Sequence, residues 1–95
     1  MNLRVCNGDR ERTVPASLEL VEQLFAPEAA IADGTEIAVA DGTRWLAALA
    51  VHAPGEPEAF LLSGELSPAE VVSSRVTRPS ALQWFRDFVL AGSSA

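Results

Sequence analysis

The widest chemical repertoire in this chain belongs to His52 and Cys6, its single histidine and single cysteine. A histidine acting as general base needs an acid, hydroxyl or thiol within hydrogen-bond reach. His52 stands where an apolar run gives way to Ala53-Pro54-Gly55, the setting of an exposed strand end. A cysteine attacks only as a thiolate stabilised by nearby positive charge. Arg4 and Arg10 lie near Cys6 in sequence, but its place at the end of Leu3–Cys6 reads as a buried structural thiol. One cysteine and one histidine make neither an internal disulfide nor a zinc site.

Carboxylates are paired at Glu56 and Glu58 and at Glu19 and Glu22. The first pair falls in a proline-rich loop and the second on the polar side of a helical pattern. Neither pair has the contrasting apolar and polar settings that divide an acid from a base. The six glycines are isolated turn residues, so no phosphate-cradling loop, nucleophile elbow or calcium loop is present. The expectation is a protein that is not an enzyme, with no catalytic residues, no cofactor and no metal.

Binding is the remaining class. The loop Ala53–Glu58 holds two prolines and two acids, and a stiff acidic loop engages a basic cleft at modest ordering cost. Together with the outer face and turn of a central hairpin it supplies the candidate partner-binding set: Glu36, Asp41, Arg44, Glu56, Glu58 and Glu65.

The elements that must position these residues are short. Leu3–Cys6 reads as a strand turning at Asn7-Gly8, and a two-residue turn there sets Arg4 opposite Glu11 in a small first hairpin. Pro15 suits the first turn of a helix running to Ala26, with Leu18, Leu20, Val21, Leu24 and Phe25 on one face. Pro27 to Asp33 adds a further turn before Gly34. Thr35–Val51 is a hairpin about Asp41-Gly42. A three-residue loop there collects Ile37, Val39, Trp45, Leu49 and Val51 on one apolar face, which favours it over a two-residue loop. The opposite face then carries Glu36, Ala38, Ala40, Arg44, Leu46, Ala48 and His52.

Ala59–Glu65 forms another strand. Ser67-Pro68-Ala69-Glu70 has capping-box spacing, but Val71, Val72 and Val76 favour an extended chain over Glu70–Val76. A second helix starts with Ser80 and Gln83 at capping-box spacing and closes at Gly92. It gathers Ala81, Leu82, Trp84, Phe85, Phe88 and Val89 on one face. Strands in succession with helices near the ends predict an α+β fold. Its antiparallel sheet of four to five strands is covered on one face by two amphipathic helices.

Length and composition agree with one domain over residues 1–95. Of the chain, 48% is hydrophobic and 21% charged, which is ordinary globular usage. Net charge is −6, and the seven arginines are scattered, with Asp9 and Glu11 interleaved among the densest group. Nucleic-acid binding needs a cationic stripe and is not expected. An acidic surface steers instead toward a basic partner. The N-terminal MNLRVCNGDRER lacks the apolar core of a secretory signal, and Trp45–Val51 is too short to cross a bilayer. A cytoplasmic location without membrane contact is expected.

The element order, the acidity and the stretch ELSPAEVVSSRVTRPSALQWFRDFVLAG resemble the small immunity proteins of bacterial polymorphic toxin systems, the deaminase-toxin type above all. In that family a strand ending near Val-Val-Ser leads into an amphipathic last helix with phenylalanine before a closing glycine. Val71-Val72-Ser73, Ala81 to Phe88 and Gly92 occupy those places. The resemblance implies one-to-one neutralisation of a single basic toxin domain by masking or distorting its active site, with no catalytic residues to transfer. The other expectation is a small accessory subunit, homodimeric through the open sheet edge or the outer face around Leu46.

Overall fold

The computed structural model describes residues 1–93. Six strands form one antiparallel sheet: β1 (Asn2–Asn7), β2 (Arg10–Pro15), β3 (Glu36–Asp41), β4 (Arg44–Val51), β5 (Ala59–Ser67) and β6 (Glu70–Val76). Helix α1 (Leu18–Leu24) lies between β2 and β3, and α2 (Arg78–Ser93) follows β6. The spatial order is β2-β1-β3-β4-β5-β6. β2 and β3 both run antiparallel to β1, so α1 crosses over β1 between two parallel strands. The remaining strands are a meander.

The α+β class with an antiparallel sheet is as expected, but six strands form where four to five were predicted. Both the first hairpin and Glu70–Val76 are complete strands. The loop of the first hairpin is Gly8-Asp9, closed by Asn7 opposite Arg10. Arg4 therefore sits opposite Thr13 rather than Glu11 and reaches Glu11 on the diagonal at 3.7 Å. Pro15 ends β2 opposite Asn2 instead of opening the helix, which starts after Ser17. The Ser17 hydroxyl accepts the Leu20 N–H at 3.1 Å and caps the helix. The second helix also starts earlier than expected, at Arg78 with Pro79 in its first turn, and it continues through Gly92.

The main correction concerns the β3–β4 hairpin. Asp41 pairs with Arg44 across a two-residue loop, Gly42-Thr43. Gly42 has φ +64, as the first central residue of such a turn requires, and Thr43 stays at negative φ. This register turns Leu46, Ala48 and Ala50 to the helices together with Ile37 and Val39, and all five are buried. Trp45 and Leu49 face the other way, 41% and 37% exposed, so Trp45 is not part of the core. Leu46 is fully buried and so is not on an outer face.

Packing explains the choice. Phe25, Phe60 and Phe85 meet at the centre, with Phe25 edge-on to Phe60 at 5.6 Å and tilted against Phe85 at 5.0 Å. Rings of this size need a shallow floor, which Ala48 and Ala50 provide. Trp45 and Leu49 there would overfill the layer. Both helices lie on this side, with Val21 of α1 and Ala81, Phe85, Phe88 and Val89 of α2 buried against the sheet.

Candidate functional site

Among the described residues no element covers the second face of the sheet. The strand registers place its side chains in rows. Ala40, Trp45, Glu65 and Val71 stand side by side at the end near the Gly42 turn. Ala38, Ala47, Ser63 and Ser73 make the middle row. Glu36, Leu49, Leu61 and Arg75 make the third, and Cys6 lies next to Glu36 on β1.

Four of the five large apolar side chains that stand exposed, Trp45, Leu49, Leu61 and Val71, lie on this face. Val71 is 74% exposed. The alanines and Ser63 leave a depression between the Trp45 ring and the Arg4–Glu36 pair, a cleft of about 570 Å³. Large apolar side chains gathered on one uncovered face, interleaved with small and charged ones, make it the candidate interaction surface.

The electrostatics of the face are modestly acidic. Arg4 donates to Glu36 at 2.9 Å and approaches Glu11 at 3.7 Å, so one cation serves two carboxylates. Glu65, directly opposite Trp45, makes no ion pair among the described residues. A carboxylate beside an aromatic face is a favourable setting for an arginine or lysine brought by a partner.

The six predicted binding residues do not converge. Glu36 and Glu65 are both on the open face, where Glu36 lines the cleft and Glu65 stands beside Trp45. Asp41 and Arg44 close the β3–β4 turn at 3.4 Å. The Arg44 guanidinium lies 4.2 Å over the Phe88 ring, so it pins the end of α2 rather than reaching outward. Glu56 is exposed in the β4–β5 loop, where its N–H donates to the Ala53 carbonyl at 3.1 Å.

Glu58 is occupied structurally. Arg78 donates to both of its oxygens, Nε to Oε1 at 2.8 Å and Nη2 to Oε2 at 2.7 Å. These hydrogen bonds hold the Glu58 carboxyl below its ordinary value against an opposing contribution from burial, and the Arg78 charge and the nearby His52 add to the lowering. Glu58 in turn raises Arg78.

Sequence reasoning missed the exposure of Trp45, Leu49, Leu61 and Val71 and the Arg4–Glu36 ion pair. A signal existed: Trp45, Ala47, Leu49 and Val51 are as apolar as Leu46, Ala48 and Ala50, so β4 lacks the alternation of a strand with one wet face.

His52, one of the two chemically versatile residues, follows β4, and Cys6, the other, lies in β1. The His52 backbone N–H donates to Asp33 Oδ1 at 2.8 Å, and its ring is at an exposed strand end. Cys6 is half-buried on the open face rather than in the core, with its Sγ 3.9 Å from the Gly8 carbonyl. Among the described residues no group of three or more His, Cys, Asp or Glu side chains is placed to hold a metal ion. No helix among them is long and apolar enough to cross a membrane. Set against protein-family models, curated proteins and solved structures, the chain matches none of them.

Proposed function

We propose that this chain is a cytoplasmic inhibitor of the immunity-protein kind, which neutralises one basic toxin domain by covering its active site with the open face of the sheet. The observation that carries the reading is the exposure of Trp45, Leu49, Leu61 and Val71 on one uncovered face of a chain of only 95 residues. A tryptophan anchor such as Trp45 is the usual energetic centre of a protein interface, with a polar rim around it. The charge balance supports a basic occupant: net charge is −6, Glu11 and Glu36 share one arginine, and Glu65 waits beside Trp45. The resemblance of the C-terminal stretch to toxin-immunity proteins supplies the toxin as that partner.

Co-expression with the product of each adjacent gene tests this reading. One of them should arrest growth alone and be harmless together with this chain, and Trp45→Arg or Leu61→Glu should remove the protection while the variant stays folded. Survival with both variants, or the lack of any toxic neighbour, sinks the proposal.

One observation favours the alternative of a homodimeric accessory subunit. β2 shields its edge with Arg10, Glu11, Arg12 and Pro15, whereas β6 has charges only at Glu70 and Arg75 and leaves Val71-Val72-Ser73-Ser74 uncharged between them. Sedimentation of the isolated protein at micromolar concentration decides it, since a stable dimer supports the subunit and a monomer supports the inhibitor.

A further inference from the structure

Read along the chain, Asp9-Arg10-Glu11-Arg12 alternates in sign and neutralises itself. A strand undoes that arrangement, because successive side chains point to opposite faces. Arg12 pairs with Val5 and Arg10 with Asn7, in line with Leu3 and Val14, so both arginines lie on the helix side of β2. Glu11 lies on the other side, engaged with Arg4. Residues two apart on a strand stand about 7 Å apart. Neither Arg10 nor Arg12 makes an ion pair among the described residues, whereas Arg44, Arg78 and Arg86 on the same side each have a carboxylate within reach.

The two free guanidiniums rim a groove of about 560 Å³ between β1–β2 and the segment that follows α1; Glu11, between them in the strand, also borders it, with its carboxylate turned to Arg4. The apolar floor of the groove is Val5, Leu24, Ile31 and Ile37. The groove exists because α1 has only seven residues and stops at Leu24. Beyond it an irregular segment rather than a helix borders this corner of the sheet. The polar groups at its end are already satisfied, since Asn7 donates to the buried Thr35 hydroxyl at 2.7 Å. The groove is in the size range of pockets that take small organic ligands, roughly 300–1,000 Å³. Guanidinium donors match carboxylate geometry, and such charge-assisted bonds are about twice as strong as neutral ones.

We propose that this groove binds an organic monoanion, an alkyl or aryl carboxylate. Its hydrocarbon body lies on Val5, Leu24, Ile31 and Ile37, and its carboxylate sits between Arg10 and Arg12. The site is on the helix side of the sheet and does not depend on what docks on the open face. Charge on an edge strand also deters unwanted strand pairing. That role needs no groove and no carboxylate, which separates the two in experiment.

The test is an NMR titration of the ¹⁵N-labelled full chain with 4-phenylbutyrate, with its neutral amide and with acetate. The amide signals of Asn7, Ile31 and Thr35 should move saturably with 4-phenylbutyrate. The neutral amide and acetate should each bind about 10-fold more weakly, the loss expected when one charge-assisted contact or the apolar body is missing. Arg10→Gln and Arg12→Gln should each weaken 4-phenylbutyrate about 5-fold or more. Arg75→Gln removes an exposed arginine from the other face and should leave the affinity unchanged. Equal binding of acid and amide, equal weakening by Arg75→Gln, or no movement of the groove signals up to ~10 mM ligand overturns the proposal.

Discussion

Arg78 grips Glu58 with two prongs and, through Nη1, also donates to the carbonyls of Ala26 and Ala29, each at 2.6 Å. One side chain thus fastens the start of α2 to the β4–β5 loop and to the turn after α1. These segments are far apart in sequence and share no regular hydrogen bonding. The side chains are only 15% and 26% exposed, so water competes poorly for the pair.

Glu58→Gln keeps the shape and loses the charge, and it should cost about 1.5–3 kcal/mol at neutral pH, the usual range for hydrogen bonds to charged groups. The pH dependence has a definite sign. The folded-state carboxyl is lowered from 4.5, so its contribution is fully present above that value and is lost as pH falls through the lowered one. Urea unfolding across this range should show the gap between parent and variant shrinking below about pH 4.5. A gap that stays constant into strong acid would falsify the assignment.

Arg78→Ala should be worse than Glu58→Gln, because it strands the Glu58 carboxylate and also leaves the Ala26 and Ala29 carbonyls without their donor. A loss of about 3–5 kcal/mol, in the range for breaking a largely buried pair, is expected from thermal or denaturant melts. Equal losses in the two variants would mean that the backbone contacts contribute nothing.

Gly64 is buried in β5 on the helix side, and a Cβ there would meet the Trp45 carbonyl oxygen at 2.5 Å and Leu46 Cα at 3.1 Å. Backbone atoms cannot yield as a side-chain tip would. Gly64→Ala should destabilise by about 1–3 kcal/mol as overpacking. A neutral effect in urea unfolding would show that β4 and β5 are farther apart at this point.

The β3–β4 register is testable with two leucines. Leu46→Ala removes a fully buried side chain and should cost about 2–5 kcal/mol. Leu61→Ala trims a side chain that is 42% exposed on the open face and should cost under about 1 kcal/mol. The reverse order would mean that the sheet presents its other face to the helices.

Trp45 provides an optical report on the open face. In a Trp84→Phe background the remaining tryptophan, 41% exposed, should be readily quenched by acrylamide and should emit at long wavelength. A bound partner should suppress the quenching. Resistance to quenching in the free protein would place the ring in the interior.

Much of the scaffold was legible along the chain. Phe85, Phe88 and Val89 fall on one helical face, and the core receives them as that spacing predicts. The valines of Glu70–Val76 favour a strand over a capping box, and a strand is what forms. The hairpin register was not legible, because β4 is apolar at both parities and pattern matching has nothing to choose between. The candidate site went with it. Collecting the largest apolar residues on one face puts Trp45, Leu49 and Val51 inside, and it hides the surface that they form. Glu58 was misread for another reason: its partner, Arg78, is twenty positions away, and nothing local in the sequence joins them.

The sequence by itself determined the α+β class and the acidity, since these follow from composition and short-range periodicity. Only the tertiary structure decided which face of the sheet the helices cover. Three phenylalanine rings need a floor of alanines, so Leu46, Ala48 and Ala50 turn inward and Trp45 is left facing out. The same alternation sorts Arg10 and Arg12 from Glu11 and makes a cationic rim on an acidic protein. Both surfaces depend on the register of strand pairing, which contacts distant in sequence fix.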